Sequence, residues 1–305
     1  MNDYVLRTKD LGKKYGNVYA LEKVNVEIKR GDIYGLIGLN GAGKTTFMRA
    51  VTGLLFPSAG VVELFGETGE AALRRGRERI GQSIETPALY PNMSAVQNLE
   101  IQCIVSGVSN RDTVKKTLET VGLSDTGNKE VKNFSLGMKQ RLGLAIALAG
   151  NPEFLILDEP MNGLDPKGII EMRALMRSLV KERGLTLLVS SHLLDELAQV
   201  ATRYGIIDKG RLVRQLSTEE LRCEMRRHIR IVTENPAKAM ELLKHTFNIT
   251  KIETGADGEL LVYEHSVKTG EINTLLATHG VVVESITVAE QRLEDYFVKI
   301  TGGNL

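Results

Sequence analysis

The chain has 305 residues, more than one typical domain and fewer than two large ones, which predicts one principal domain with a smaller companion. Its 39 lysines and arginines nearly cancel 38 aspartates and glutamates, which excludes a global electrostatic draw to nucleic acid or to an anionic bilayer. Two cysteines, Cys103 and Cys223, exclude a disulfide framework and a short-spaced metal pair; with no apolar leader and no run near the roughly 18 apolar residues of a membrane span, the chain reads as soluble in a reducing cytoplasm.

In chain order, the alternation of Val24, Val26 and Ile28 predicts a half-exposed strand. Ile33 to Ile37 follows as a short buried strand and runs into Gly38-Leu39-Asn40-Gly41-Ala42-Gly43-Lys44-Thr45. That segment satisfies the pattern Gly-x-x-x-x-Gly-Lys-Ser/Thr and opens a helix from Thr45 to Thr52 that Gly53 ends. Its glycines let successive N–H groups turn inward around phosphate oxygens, and the helix N-terminus adds its positive dipole end. Lys44 supplies a point charge to the β and γ phosphates, and Thr45 is placed to ligate magnesium.

From about Ser94 to Val121 the pattern is mostly helical, an insertion in the middle of the α/β core. Phe154 to Leu157 is a second buried strand, and it delivers Asp158 and Glu159 to a carboxyl end, where open α/β sheets bind ligands. Two adjacent acids there divide the work: Asp158 holds the metal's coordination sphere, and Glu159 polarises the water that attacks the γ phosphate. After Pro166, Ile169, Met172, Leu175, Met176 and Leu179 recur at helical spacing, Gly184 closes the helix, and Leu185 to Val189 is the next strand. The pair Ser190-Ser191 then leads to His192, whose imidazole can reach the same γ phosphate. His228, His245, His265 and His279 have no partner motif and read as structural.

Beyond Arg211 short strands alternate with polar helices, and Arg222 to Arg230 reads as the junction. The expected domains are therefore 1–222 and 223–305. The order strand, helix, strand, strand, helix, strand, helix from Ile229 to Ile300 predicts a small α+β sandwich of the ferredoxin-like kind. Arg222, Arg226, Arg227 and Arg230 read as a solvated helix end or linker.

Between the phosphate loop and the acidic strand lies Asn133-Phe134-Ser135-Leu136-Gly137-Met138-Lys139-Gln140-Arg141, and with it the chain resembles the ABC transporter ATPases over roughly Tyr4 to Leu221. The resemblance implies a P-loop NTPase fold of the ABC ATPase type: a parallel-sheet core, an antiparallel β subdomain and an inserted helical subdomain. It implies that ATP and Mg2+ are bound by Gly38, Asn40, Gly41, Ala42, Gly43, Lys44, Thr45 and Thr46, with Tyr15 as the aromatic that stacks on adenine. Gln82 looks like the glutamine that senses the metal and the attacking water, so the metal set becomes Thr45, Gln82 and Asp158, and the catalytic set Glu159, His192 and Gln82. Asn162 to Asp165 looks like the D-loop, and Glu85 to Pro91 lies next to the surface that meets a membrane partner. Ser135 and the Gly137 N–H would offer donors to a nucleotide held by a second ATPase subunit, since one chain cannot complete a site. The further partner implied is a separate multi-spanning permease, with no nucleic acid, and the location is peripheral at the cytoplasmic face of the membrane.

The signature departs from Leu-Ser-Gly-Gly-Gln: Phe134 replaces Leu, Leu136 the first Gly and Met138 the Gln. That form, Glu85 before Pro87, and a C-terminal extension ending near Glu294-Asp295-Tyr296-Phe297 are similar to ATPases of bacitracin and lantibiotic export or immunity. A soluble ABC-type ATPase acting on DNA or the ribosome fits less well, because the interval from Gln82 to Ser135 has no room for a long coiled coil and no second cassette follows. A nucleotide sensor without turnover is disfavoured by Glu159 and His192.

Overall fold

The computed structural model describes residues 3–85, 87–108, 111–192, 194–224, 227–255, 257–263, 267–290, 296–297 and 300–301. Thr86, Arg226, His265, Glu294 and Asp295 lie outside the described residues, as do the side chains of Arg222, Cys223 and Arg227. The chain divides into two compact units, Met1–Thr218 and Glu219–Leu305.

The first unit opens with an antiparallel sheet organised by one long strand, β1 (Tyr4–Tyr15), of 12 residues. Its middle and ends pair with β2 (Val18–Val24), β3 (Glu27–Lys29) and β5 (Ala59–Leu64), and irregularities in register let one strand serve three partners. Val24, Val26 and Ile28 are all buried between exposed neighbours, as alternation requires, yet they do not form one strand. β2 stops at Val24 and β3 starts at Glu27 because the buried Thr8 hydroxyl donates to Val24 O at 3.0 Å and accepts from Val26 N at 2.9 Å. A side chain thus replaces one rung of the ladder.

The central sheet has six strands in the order β10-β9-β4-β8-β7-β6, where β4 is Ile33–Ile37, β6 Ile80–Ser83, β7 Phe154–Leu157, β8 Thr186–Ser191, β9 Arg203–Asp208 and β10 Arg211–Ser217. From β9 to β6 all neighbours are parallel, and β10 returns antiparallel as an edge strand. Lys209 and Gly210, both at positive φ, make its tight turn. β4, β7 and β8 are buried on both faces, which is why β4 and β7 read as unbroken apolar runs and β8 carries an apolar centre, Leu187 to Val189.

Helix α1 (Lys44–Thr52) lies between the two sheets; Phe47, Met48, Ala50 and Val51 pack in one core with Leu6, Leu11, Val62, Tyr34 and Ile156. Burial of Phe47 and of Met48 stabilises by about 1.5–3 kcal/mol each, which anchors the segment just before it. α2 (Glu70–Arg77) precedes β6. The inserted helical region holds α3 (Ala95–Val105), started by a Ser94–Gln97 capping box, α4 (Arg111–Thr120) and α5 (Leu136–Leu148). Cys103 is buried in α3, and burial pushes its thiol up. α6 (Pro166–Arg183) starts at an Asp165 cap with Pro166 in its first turn and ends at Gly184 in the left-handed region, and α7 (Leu194–Ala198) follows β8. Among the described residues no helix is long and apolar enough to cross a membrane.

In the second unit, α8 (Thr218–Glu224) leads into β11 (Arg227–Thr233), α9 (Pro236–Phe247), β12 (Ile252–Thr254), β13 (Leu260–Val262), α10 (Thr269–Thr278) and β14 (Val283–Glu290). The sheet order β12-β13-β11-β14, with every pair antiparallel, is the ferredoxin-like arrangement. Its core joins Ile229, Ile231, Leu260 and Val262 of the sheet to Leu243 of α9 and to Ile272 and Leu276 of α10.

Candidate functional site

The loop between β4 and α1 can take only a few side chains. Gly43 sits at φ 110°, and a Cβ there would lie 2.7 Å from Ala20 O. Asn40 and Gly41 are exposed at the loop tip, Ala42 is buried, and Thr46 is half-buried on α1. From the opposite side the β9–β10 turn braces the loop, with Gly210 N donating to Ala42 O at 2.9 Å. Lys44 is only 5% exposed. Its ammonium donates to Gly38 O at 2.7 Å and Leu39 O at 3.3 Å and pairs with Glu159 Oε1 at 3.3 Å, so a nearly buried cation is fully compensated.

The carboxyl ends of β4, β8 and β7 are adjacent in the sheet, and their polar residues close a network there. Thr45 Oγ1 donates to Asp158 Oδ2 at 2.8 Å. Ser190 Oγ donates to Asp158 Oδ1 at 2.5 Å and accepts from Glu159 N at 2.8 Å. Glu159 has φ 48°, a left-handed conformation rare for a residue with a Cβ, and its carboxylate leaves the strand end toward Lys44. Glu159 Oε2 is met by His192 Nδ1 at 2.9 Å and accepts from Asn162 Nδ2 at 3.3 Å. Lys44, Thr45, Asp158, Glu159 and His192, nominated by spacing alone, are therefore brought together.

Other nominated residues stand apart from this network. Tyr15, at the end of β1, is 52% exposed, with Lys13 Nζ 5.1 Å above its ring centre. Ser135 caps α5, its Oγ accepting from Met138 N at 3.3 Å, and Gly137 lies in the first turn of that helix. Leu136, which stands where the common signature has its first glycine, is 48% exposed, and its Cδ2 lies 2.8 Å from where a Cβ on Gly163 would be.

Gln82 requires a correction. It is an exposed residue inside β6, paired with Ile156, two positions before Asp158 on the neighbouring strand, so it lies in the body of the sheet and not at its carboxyl end. Glu85, and not Gln82, lines the cleft of about 510 Å³ with Thr45, Asp158, Glu159, Asn162 and Leu136. Glu85 sits at φ 61°, just past the strand, and pairs with Arg49 at 2.6 Å. The signal was the boundary of β6: counted from its end at Ser83, Glu85 is in the loop and Gln82 is not. Ser190 and the Asn162 amide are further members of the network that no spacing rule nominated as partners of the acids.

Residues 21–162 match the family model described as ABC transporter. Over 299 residues, 98% of either chain, the sequence is 43% identical to the bacitracin transport ATP-binding protein BcrA of Bacillus licheniformis. The chain belongs to the ABC transporter ATP-binding proteins. This ABC ATPase is also 44% identical over 209 residues to the lantibiotic transport ATP-binding protein SrtF of Streptococcus pyogenes, covering 68% of this chain and 89% of SrtF. Among solved structures it is similar to a dimeric ATP-binding cassette in a post-hydrolysis state with ADP and Pi bound, with a TM-score of 0.63, 26% identity, and 70% and 98% of the two chains covered. The ABC ATPase thus binds ATP and hydrolyses it as the ATP-binding subunit of a transporter.

Proposed function

We propose that this ABC ATPase works as one of a pair of identical subunits, peripheral at the cytoplasmic face of the membrane, and powers export of a peptide antibiotic of the bacitracin or lantibiotic kind through a separate multi-spanning permease. The cargo reading is supported by the near full-length identity to BcrA and the identity to SrtF over the ATPase region. The pairing reading is supported by the dimeric cassette among the similar structures.

The observation that carries the catalytic reading is the sharing of one carboxylate, that of Glu159, by Lys44, His192 and Asn162. Nucleotide phosphates entering the loop from Gly38 to Thr46 offer Lys44 a stronger anion than Glu159. Glu159 is then released from the lysine while His192 and Asn162 still aim it, and it polarises the water that attacks the γ phosphate. Thr45 Oγ1 and Asp158 Oδ2, two hard oxygen donors 2.8 Å apart at the loop's mouth, fit Mg2+. No group of three or more His, Cys, Asp or Glu forms a metal cage among the described residues, and Mg2+ held by one carboxylate, a hydroxyl, phosphates and waters needs none. When bound, the metal neutralises charge that builds on the β and γ oxygens. Tyr15 stacks on the adenine, and Ser135 with the Gly137 N–H donates to the nucleotide of the partner subunit.

Glu159→Gln tests this reading. ATP binding should stay within about threefold of the parent while turnover drops about 10²–10⁴-fold, the range for loss of a general base. The variant should also accumulate as an ATP-bound dimer by size-exclusion chromatography; undiminished turnover would remove Glu159 from its role.

A further inference from the structure

We propose that Ser190 is a positioning residue for hydrolysis: its hydroxyl orients the Asp158 carboxylate toward the metal and fixes the backbone from which Glu159 projects. This rests on the reading that Asp158 holds Mg2+ and Glu159 polarises the attacking water.

Ser190 is fully buried at the end of β8, between the strand that carries the phosphate loop and the strand that carries the acids. A serine hydroxyl has one proton to donate and lone pairs to accept, and here both directions are used. The proton goes to Asp158 Oδ1 at 2.5 Å; the oxygen takes Glu159 N–H at 2.8 Å. The carboxylate of an aspartate turns on a broad torsion, so the bond from Thr45 to Oδ2 alone leaves it free to swing. A second bond to Oδ1 from the opposite strand fixes the carboxylate plane, and with it the lone pairs that Oδ2 presents at the loop's mouth.

The second half of the contact acts on Glu159. Its φ of 48° costs free energy and persists only where the surroundings determine it. The acceptor for its N–H is Ser190, and the residue just past the acceptor's strand is His192, which holds Glu159 Oε2 at 2.9 Å. The end of β8 therefore grips Glu159 at its backbone and at its carboxylate. An alanine at position 190 would leave Asp158 able to rotate and the Glu159 amide without its acceptor. The neighbouring hydroxyl does not substitute, because Ser191 Oγ donates to Glu196 Oε2 at 3.0 Å on α7.

The test compares Ser190→Ala, Ser190→Cys and Asp158→Asn in the full chain. Two quantities are measured: ATP affinity in EDTA and across a Mg2+ titration, and steady-state hydrolysis over the same titration. For Ser190→Ala the affinity in EDTA should stay within about twofold of the parent. The Mg2+-dependent gain in affinity and kcat should each fall about 10–100-fold, the range for removing a group that orients a metal ligand, with KM for ATP rising as that gain is lost. Ser190→Cys keeps the volume with a weaker donor and acceptor and should lie between the two, which decides the matter even if the alanine variant does not fold. Parent-like Mg2+ dependence in the serine variants, alongside its loss in Asp158→Asn, overturns the role of Ser190 alone. Parent-like Mg2+ dependence in Asp158→Asn overturns the assignment of the metal site, and the role of Ser190 falls with it.

Discussion

Strand β7 carries acid at both of its ends, and the two ends are built on different terms. Just before it, Glu153 is gripped by Arg79 through Nε at 2.6 Å and Nη2 at 2.8 Å and by Arg30 at 3.0 Å. The two guanidinium groups hold the Glu153 carboxyl well below the usual carboxylate range, to about 2, with the side-chain bond from Arg79 as the largest cause. Just after it, Glu159 is held by a lysine, a histidine and an amide, and in the cycle proposed above phosphate draws the lysine away. Arginine forks that match a carboxylate permanently make a tie; partners with a better ligand in prospect make a working site.

The largest departure should come from breaking the working end at its cation. Lys44→Ala should weaken ATP binding by tenfold or more, because a nearly buried ammonium facing phosphate contributes on the order of 1.5–3 kcal/mol through charged hydrogen bonds, read by nucleotide titration. His192→Ala should sharpen the distinction between aiming and binding. Turnover should fall about 10²–10³-fold with ATP affinity within twofold, since the imidazole touches the carboxylate and not the loop; an equal loss in both would place His192 in binding instead.

The smallest effect belongs to the tied end. The folded pKa of Glu153 lies below its unfolded value of about 4.5, so its contribution to stability is present above that value and is lost as pH falls toward about 2. The side chain is 46% exposed, so screening holds the contribution to about 0.2–1 kcal/mol. Glu153→Gln should therefore lower Tm slightly at pH 7 and not at pH 2, with turnover at pH 7 unchanged; a large loss of turnover would show that the two ends of β7 are not independent.

The placement of the working end's residues was legible wherever it was local in sequence. The phosphate loop and the Asp158-Glu159 pair are spacings of a few residues on either side of a buried strand, and helix or strand period carries them. The α+β order of the second unit was legible for the same reason. The rest depends on which strands lie side by side. Ser190 meets Asp158 only because β8 lies beside β7, and no count along the chain reveals that. Val24 to Ile28 kept a strand's period across a break because Thr8, from a third strand, occupied the gap. Gln82 was misplaced by a matter of register: the chemical type suited the role, but β6 had not yet ended at that residue, whereas Glu85 stands beyond it.

One backbone carbonyl, that of Ala20, serves as a wall for two glycines from distant parts of the chain. A Cβ on Gly43 would lie 2.7 Å from it, and a Cβ on Gly210 would lie 2.7 Å from it as well. Since Gly210 also bonds the loop at Ala42, the hairpin β9–β10 and the phosphate loop close on the same oxygen, with no room for a side chain from either. For the history of the sequence this means that the two positions are not free to drift separately. A side chain gained at either one displaces the same oxygen and disturbs the seat of the other, so the route to any variant at Gly43 or Gly210 passes first through a shift of Ala20.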